Sequence, residues 1–132
     1  MEHQLTRGQA LVIIGPQGSG KTTLAREIAA KHGSKVLEVC AHDLAGRFGI
    51  DNLLANNPDV IICEEFPIDA AARAKLKDLI TSDTVTVNRK YQPPIKVRSP
   101  HLIFCSSGAE FLTEHDRRYR VVSVDRRPAQ AT

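Results

Sequence analysis

Residues 10–31 place an apolar run, a glycine-rich turn and an amphipathic helix in immediate succession, and few folds accept that order. Ala10–Ile14 (ALVII) is short, continuous and closed by Gly15, which reads as a strand buried on both faces. Lys21–Lys31 repeats apolar residues at helical spacing, with Leu24, Ile28 and Ala29 on one side and Gly33 ending the run. Between them stands Gly15-Pro16-Gln17-Gly18-Ser19-Gly20-Lys21-Thr22, a match to G-x-x-x-x-G-K-[ST] in the strand–turn–helix setting that this motif requires.

The chemistry implied is phosphate binding. Gly18 and Gly20 let the backbone bend until successive N–H groups point at one anion, and the following helix adds its positive end. Lys21 is expected to reach the β- and γ-phosphates of ATP, the Thr22 hydroxyl to hold Mg²⁺, and Thr23 to complete the nucleotide-binding stretch. A second acidic element is expected on a neighbouring strand. Val60-Ile61-Ile62-Cys63-Glu64-Glu65 offers it, with four apolar residues followed by two acids. Carboxylates at the end of a core strand are costly unless a cation compensates them. Glu64 is expected at the metal and Glu65 as the base that deprotonates the attacking water.

The rest of the chain alternates strand-like and helix-like segments. Lys35–Val39 reads as a second strand, Val60–Cys63 as a third, His101–Ser106 as a fourth and Arg120–Val124 as a fifth. A short helix is expected on each side of Gly49, a turn at Asn56-Asn57-Pro58, and a helix over Ile68–Ile80 with Asp69 as its cap. Thr84–Asn88 and Ile95–Arg98 read as a hairpin with Arg89-Lys90-Tyr91-Gln92-Pro93-Pro94 as its exposed tip. Gly108–Glu114 reads as a short helical piece. The expected fold is therefore α/β, with a five-stranded, mainly parallel sheet, helices on both faces and a β-hairpin inserted before the fourth core strand. One domain over residues 1–125 and a loose tail over 126–132 are expected. At the end of the fourth strand Ser107 is the candidate to hold the nucleophilic water, with Ser106 in reserve. Arg117, Arg118 and Arg120 cluster before the last strand, where one could neutralise a neighbouring subunit's γ-phosphate.

Composition narrows the setting. Charged residues make up 25% of the 132 residues. With no apolar run near the ~20 residues of a membrane helix and no signal-like N-terminus, a cytoplasmic protein is expected. Cys40, Cys63 and Cys105 show no pairing motif and read as free thiols, and the five histidines have no zinc spacing. Charge is uneven. Residues 1–83 hold nine Lys/Arg against eleven Asp/Glu, and residues 84–132 hold nine against four, so the C-terminal third suits a polyanion.

The order of these elements resembles the superfamily 3 helicases within the AAA+ ATPases, a group that includes parvoviral Rep-type proteins and phage or plasmid primase-helicases. The likeness runs from about Ala10 to Asp125. GPQGSGKT resembles the family's Walker A and VIICEE its Walker B. LKDLITSDTVTVNRKYQPPIKVRSPHLIFCSS resembles the helix, basic hairpin and sensor strand, and DRRYRVV the finger segment. The resemblance implies ATP and Mg²⁺ as ligands, a homo-oligomer (a hexameric ring in the family), and Arg117 as the finger with Arg118 as alternative. It also implies single-stranded DNA at the hairpin tip, on Arg89, Lys90 and Tyr91, in phage, plasmid or mobile-element replication. Ser107 stands where the family usually has Asn, which implies slower hydrolysis. Two other functions suit parts of the same sequence: a non-motor ATP-binding regulator or loader of a partner helicase, and a small-molecule, nucleotide-type kinase.

Overall fold

The computed structural model describes residues 5, 8–16, 20–40, 49–64, 70–89, 91–106 and 118–124. Among these residues the elements follow one another as β1 (Ala10–Ile14), α1 (Lys21–Ala30), β2 (Val36–Cys40), α2 (Gly49–Leu54), β3 (Val60–Glu64), α3 (Ala70–Thr81), β4 (Thr84–Arg89), β5 (Gln92–Arg98), β6 (His101–Ser106) and β7 (Tyr119–Ser123). Five of the strands form one sheet in the order β2-β3-β6-β1-β7, and each of its four pairings is parallel. A parallel sheet needs cover on both faces, and the apolar residues supply it by alternation. Leu11, Ile13, Ile62, Ile103 and Cys105 pack with Ala25, Ile28 and Ala29 of α1 on one face. Val12, Ile61, Cys63, Leu102 and Phe104 pack with Ile50 and Leu54 of α2 and Leu76, Leu79 and Ile80 of α3 on the other.

The hairpin β4–β5 is a separate two-stranded sheet. Val87 is fully buried in the α2/α3 layer, with Val85, Ile95 and Val97 packed against it, while Thr84, Thr86, Lys96 and Arg98 face out. Period-two alternation thus fixes one hairpin face to the core and leaves the other wet.

The expected tip is shorter than the sequence implies. β5 begins at Gln92, so Pro93 and Pro94 lie in the strand and only Lys90 and Tyr91 connect it to Arg89. Proline cannot donate to a ladder, but a register irregularity sits opposite, between Val87 and Arg89, where no ladder bond is required of it. β2 and β7 are each displaced by one residue from their expected spans, β2 toward the C-terminus and β7 toward the N-terminus. The expected piece at 108–114, the cap Asp69, the helix before Gly49 and the tail lie outside the described residues.

Gly33 has a different reason from the one its position implies. It does not take the left-handed conformation of a helix-capping glycine; α1 closes on Lys31 with N–H bonds to Ile28 and Ala29 carbonyls. A Cβ at residue 33 would instead overlap the Cβ of Asp59. Asp59 accepts from the Lys35 N–H at 3.1 Å through Oδ2, and its own N–H donates to the Lys35 carbonyl at 2.8 Å, so it cannot yield freely. Gly33→Ala is expected to destabilise the domain by about 1–3 kcal/mol, read as a lower midpoint in urea unfolding.

Candidate functional site

The C-terminal ends of β1, β3 and β6 meet at the start of α1. β1 ends by handing its ladder to β6, with the Gly15 N–H donating to the Ser106 carbonyl at 3.1 Å. The chain enters α1 through Gly20, whose φ of 89° and ψ of 18° are left-handed and cost a glycine least. No acidic residue occupies the first turn of α1, so nothing within it offsets the positive helix end. The Lys21 ammonium folds back over the turn and donates to the Gly15 carbonyl at 2.6 Å and the Pro16 carbonyl at 3.3 Å. It is thereby held at the mouth of the glycine-rich loop. Gln17, Gly18 and Ser19 lie outside the described residues.

Thr22 and Glu64, 42 residues apart in sequence, come together here. The Thr22 hydroxyl donates to Glu64 Oε1 at 3.2 Å. The register explains why. Glu64 pairs with Cys105 across β3 and β6, and Cys105 belongs to the α1 face, so Glu64 projects toward the helix that carries Thr22. Hydroxyl and carboxylate oxygens are hard donors that suit Mg²⁺, which takes one or two protein carboxylates and completes its shell with water and substrate phosphate. Among the described residues no group of three or more His, Cys, Asp or Glu is gathered to hold a metal ion.

One turn further along α1, Arg26 makes a bidentate ion pair with Glu38 of β2, Nε to Oε2 at 2.7 Å and Nη2 to Oε1 at 2.8 Å. The hydrogen bond with Glu38 and its charge raise the Arg26 pKa, with a smaller contribution from the charge of Glu64. The same hydrogen bond holds the Glu38 carboxyl below the usual carboxylate range. Sequence reasoning did not single out this pair. The available signal was helical spacing, since Arg26 lies four residues after Thr22 and shares its side of the helix.

The other candidates are placed less centrally. Ser106 is buried and, by alternation with Phe104 and Cys105, sits on the α2/α3 face. Arg118 immediately precedes β7, and its carbonyl accepts from the Ala10 N–H at 2.7 Å. It therefore stands at the far end of β1, about four residues or roughly 13 Å of strand from the glycine-rich loop. Arg89 is partly turned inward, donating to the Pro93 carbonyl at 2.8 Å and 3.3 Å, whereas Tyr91 is 93% exposed. Glu65, Ser107, Arg117 and Lys90 lie outside the described residues. A concavity of about 280 Å³ opens at the opposite end of the sheet, lined by His32, Asp59, Arg98 and His101. Its mixed charge and distance from the loop set it apart from the phosphate site.

Strand order β2-β3-β6-β1-β7, a glycine-rich loop between β1 and α1, and an acid at the end of the adjacent-but-one strand β3 define a P-loop NTPase fold of the AAA+ type. The chain belongs to the family described as "Family of unknown function (DUF5906)", whose model matches residues 13–120. No curated protein matches it. Among solved structures it is similar to the apo C-terminal region of NrS-1, at 24% identity and a TM-score of 0.65, covering 90% of this chain and 29% of that one. A second apo structure of the same region gives 22% identity and a TM-score of 0.65 over 89% of this chain and 30% of the other. A RuvB mutant from Thermotoga maritima is similar at 16% identity and a TM-score of 0.64, over 89% of this chain and 38% of that one. This chain therefore spans about three-tenths to two-fifths of these solved chains, and at these identities the likeness is one of fold. No helix among the described residues is long and apolar enough to cross a membrane.

Proposed function

We propose that this chain binds Mg·ATP, hydrolyses it at an interface between identical subunits, and acts on single-stranded DNA in the manner of the superfamily 3 helicases. The observation that carries the reading is the Thr22–Glu64 contact at 3.2 Å, one residue along α1 from the Lys21 ammonium. These are the cation-holding and phosphate-holding groups of a nucleotide site, brought together by parallel strands. Mg²⁺ held by Thr22 and Glu64 would supply positive charge to the β- and γ-phosphates.

In this reading Lys21 and the backbone N–H groups of residues 17–20 bind the phosphates, and Glu65 takes the proton of the attacking water. Ser107 steadies that water. Arg117 acts on the nucleotide of the adjacent subunit, with Arg118 as its alternative. The position of Arg118 supports an action in trans, since a side chain at the far end of β1 does not reach its own loop. Arg89, Lys90 and Tyr91 form the DNA-facing tip. Tyr91 supports this part. A large aromatic side chain is 93% exposed on a backbone with φ of 64°, a region that L residues rarely adopt. Stacking a base there would recover about 1–3 kcal/mol.

Native mass measurement with a slowly hydrolysed ATP analogue, with and without single-stranded DNA, tests the assembly, and turnover measured alongside tests the activity. A multimer with DNA-stimulated hydrolysis is expected. A monomer that phosphorylates a nucleoside monophosphate and ignores DNA would replace the reading with a kinase. Tight ATP binding with negligible turnover on DNA would replace it with a regulator or loader of a partner helicase. Tyr91→Ala is expected to weaken single-stranded DNA binding about fivefold or more while leaving ATP affinity unchanged, read by fluorescence anisotropy.

A further inference from the structure

Arg26 has two carboxylates within its electrostatic reach, and it is bonded to one of them. Glu38 takes its guanidinium in both branches at 2.7 Å and 2.8 Å, and Glu64 adds a weaker attraction. The sheet register explains this arrangement. Cys40 pairs with Glu64, and Glu38, two residues earlier, shares the same face of β2. Glu38 itself pairs with Ile62, which packs under α1. The two acids therefore stand on one face, one strand and one step apart, beneath the same side of α1. That side presents Thr22 to Glu64 and, four residues later, Arg26 to Glu38.

We propose that Glu38 is a positioning residue that holds the Arg26 guanidinium away from Glu64, so that Glu64 stays available to a divalent cation. The inference rests on the reading of Thr22 and Glu64 as the magnesium-holding pair. A planar guanidinium matches a carboxylate in two parallel charge-assisted bonds, and oxygens so engaged are occupied toward a metal. With Glu38 neutral, Glu64 is the other carboxylate among the described residues whose charge acts on Arg26. Both members of the pair are largely solvent-exposed, and exposed pairs contribute little to folding. The consequence falls on how the charge near Glu64 is distributed.

The test is a Mg²⁺ titration of the full chain at a fixed concentration of a fluorescent, slowly hydrolysed ATP analogue, reading bound nucleotide. Thermal unfolding without metal is followed in parallel. Glu38→Gln is expected to raise the Mg²⁺ concentration at half-saturation about three- to fivefold, with little change in the metal-free melting temperature. Arg26→Gln alone is expected not to raise it. Arg26→Gln combined with Glu38→Gln is expected to return to the wild-type value, because the competing cation is gone. An unchanged requirement in Glu38→Gln overturns the inference, as does a double variant that stays raised. A wild-type chain that binds the analogue equally well in EDTA overturns the magnesium reading itself, a result distinguishable from either.

Discussion

Lys21→Ala is expected to lower ATP affinity about a hundredfold or more and to abolish turnover at cellular nucleotide concentrations. The Lys21 ammonium is held over the turn by two backbone carbonyls, at 2.6 Å and 3.3 Å, its partners among the described residues. A triphosphate carries several negative charges and is a stronger acceptor than either carbonyl, so the ammonium can transfer from them to it. Replacing it removes two charge-assisted contacts, each worth about 1.5–3 kcal/mol. The loop amides and the positive end of α1 remain, so binding weakens without vanishing. Isothermal titration with ATP and Mg²⁺ reads the change. Because its bonds among the described residues are to two loop carbonyls, its loss is expected to leave the melting temperature of the nucleotide-free chain nearly unchanged. Equal affinity in the variant and the wild type would sink the assignment of the phosphate loop.

How much of the fold is legible in the sequence follows from the range of each signal. β1 and α1 are fixed by residues close in sequence, and their spans hold to within a residue. The buried strands β3 and β6 are similarly plain, since four consecutive apolar residues between polar ends have one comfortable place in a parallel sheet. The hairpin boundary was misread because proline argues against a strand, and only the register irregularity opposite Pro93 and Pro94 makes those positions tolerable. Gly33 was misread as a cap because a glycine after a helix usually is one. Its actual constraint, Asp59, is 26 residues distant and visible only in space. For Arg26–Glu38 helical spacing points to the side of α1 that Arg26 shares with Thr22, but the partner Glu38 is visible only in space. Exposed charges carry no periodicity, and the partners join a helix flank to an edge strand. Thr22 and Glu64 were each legible as chemistry, but their meeting depends on β3 lying two strands from β1, with β6 between them.

Glu65→Gln is expected to leave ATP affinity within about twofold of wild type and to lower turnover by roughly 10²–10⁴. The asymmetry between Glu65 and its neighbour makes this result informative. Glu64 is the last residue of β3 and meets Thr22, so its carboxylate is committed to the cation side of the site. Its loss should weaken metal-dependent binding. A second acid directly after it is not needed to hold that cation, and its proposed role is to take a proton from the water that attacks the γ-phosphate. Glutamine keeps the size and the hydrogen-bonding reach of glutamate and loses only the basic oxygen, so binding and catalysis separate. Single-turnover hydrolysis of bound ATP, measured beside equilibrium binding, resolves the two. If Glu65→Gln hydrolyses at the wild-type rate, the base lies elsewhere. If it loses binding and turnover together, the two acids share the cation, and the division of labour between strand end and following residue does not hold.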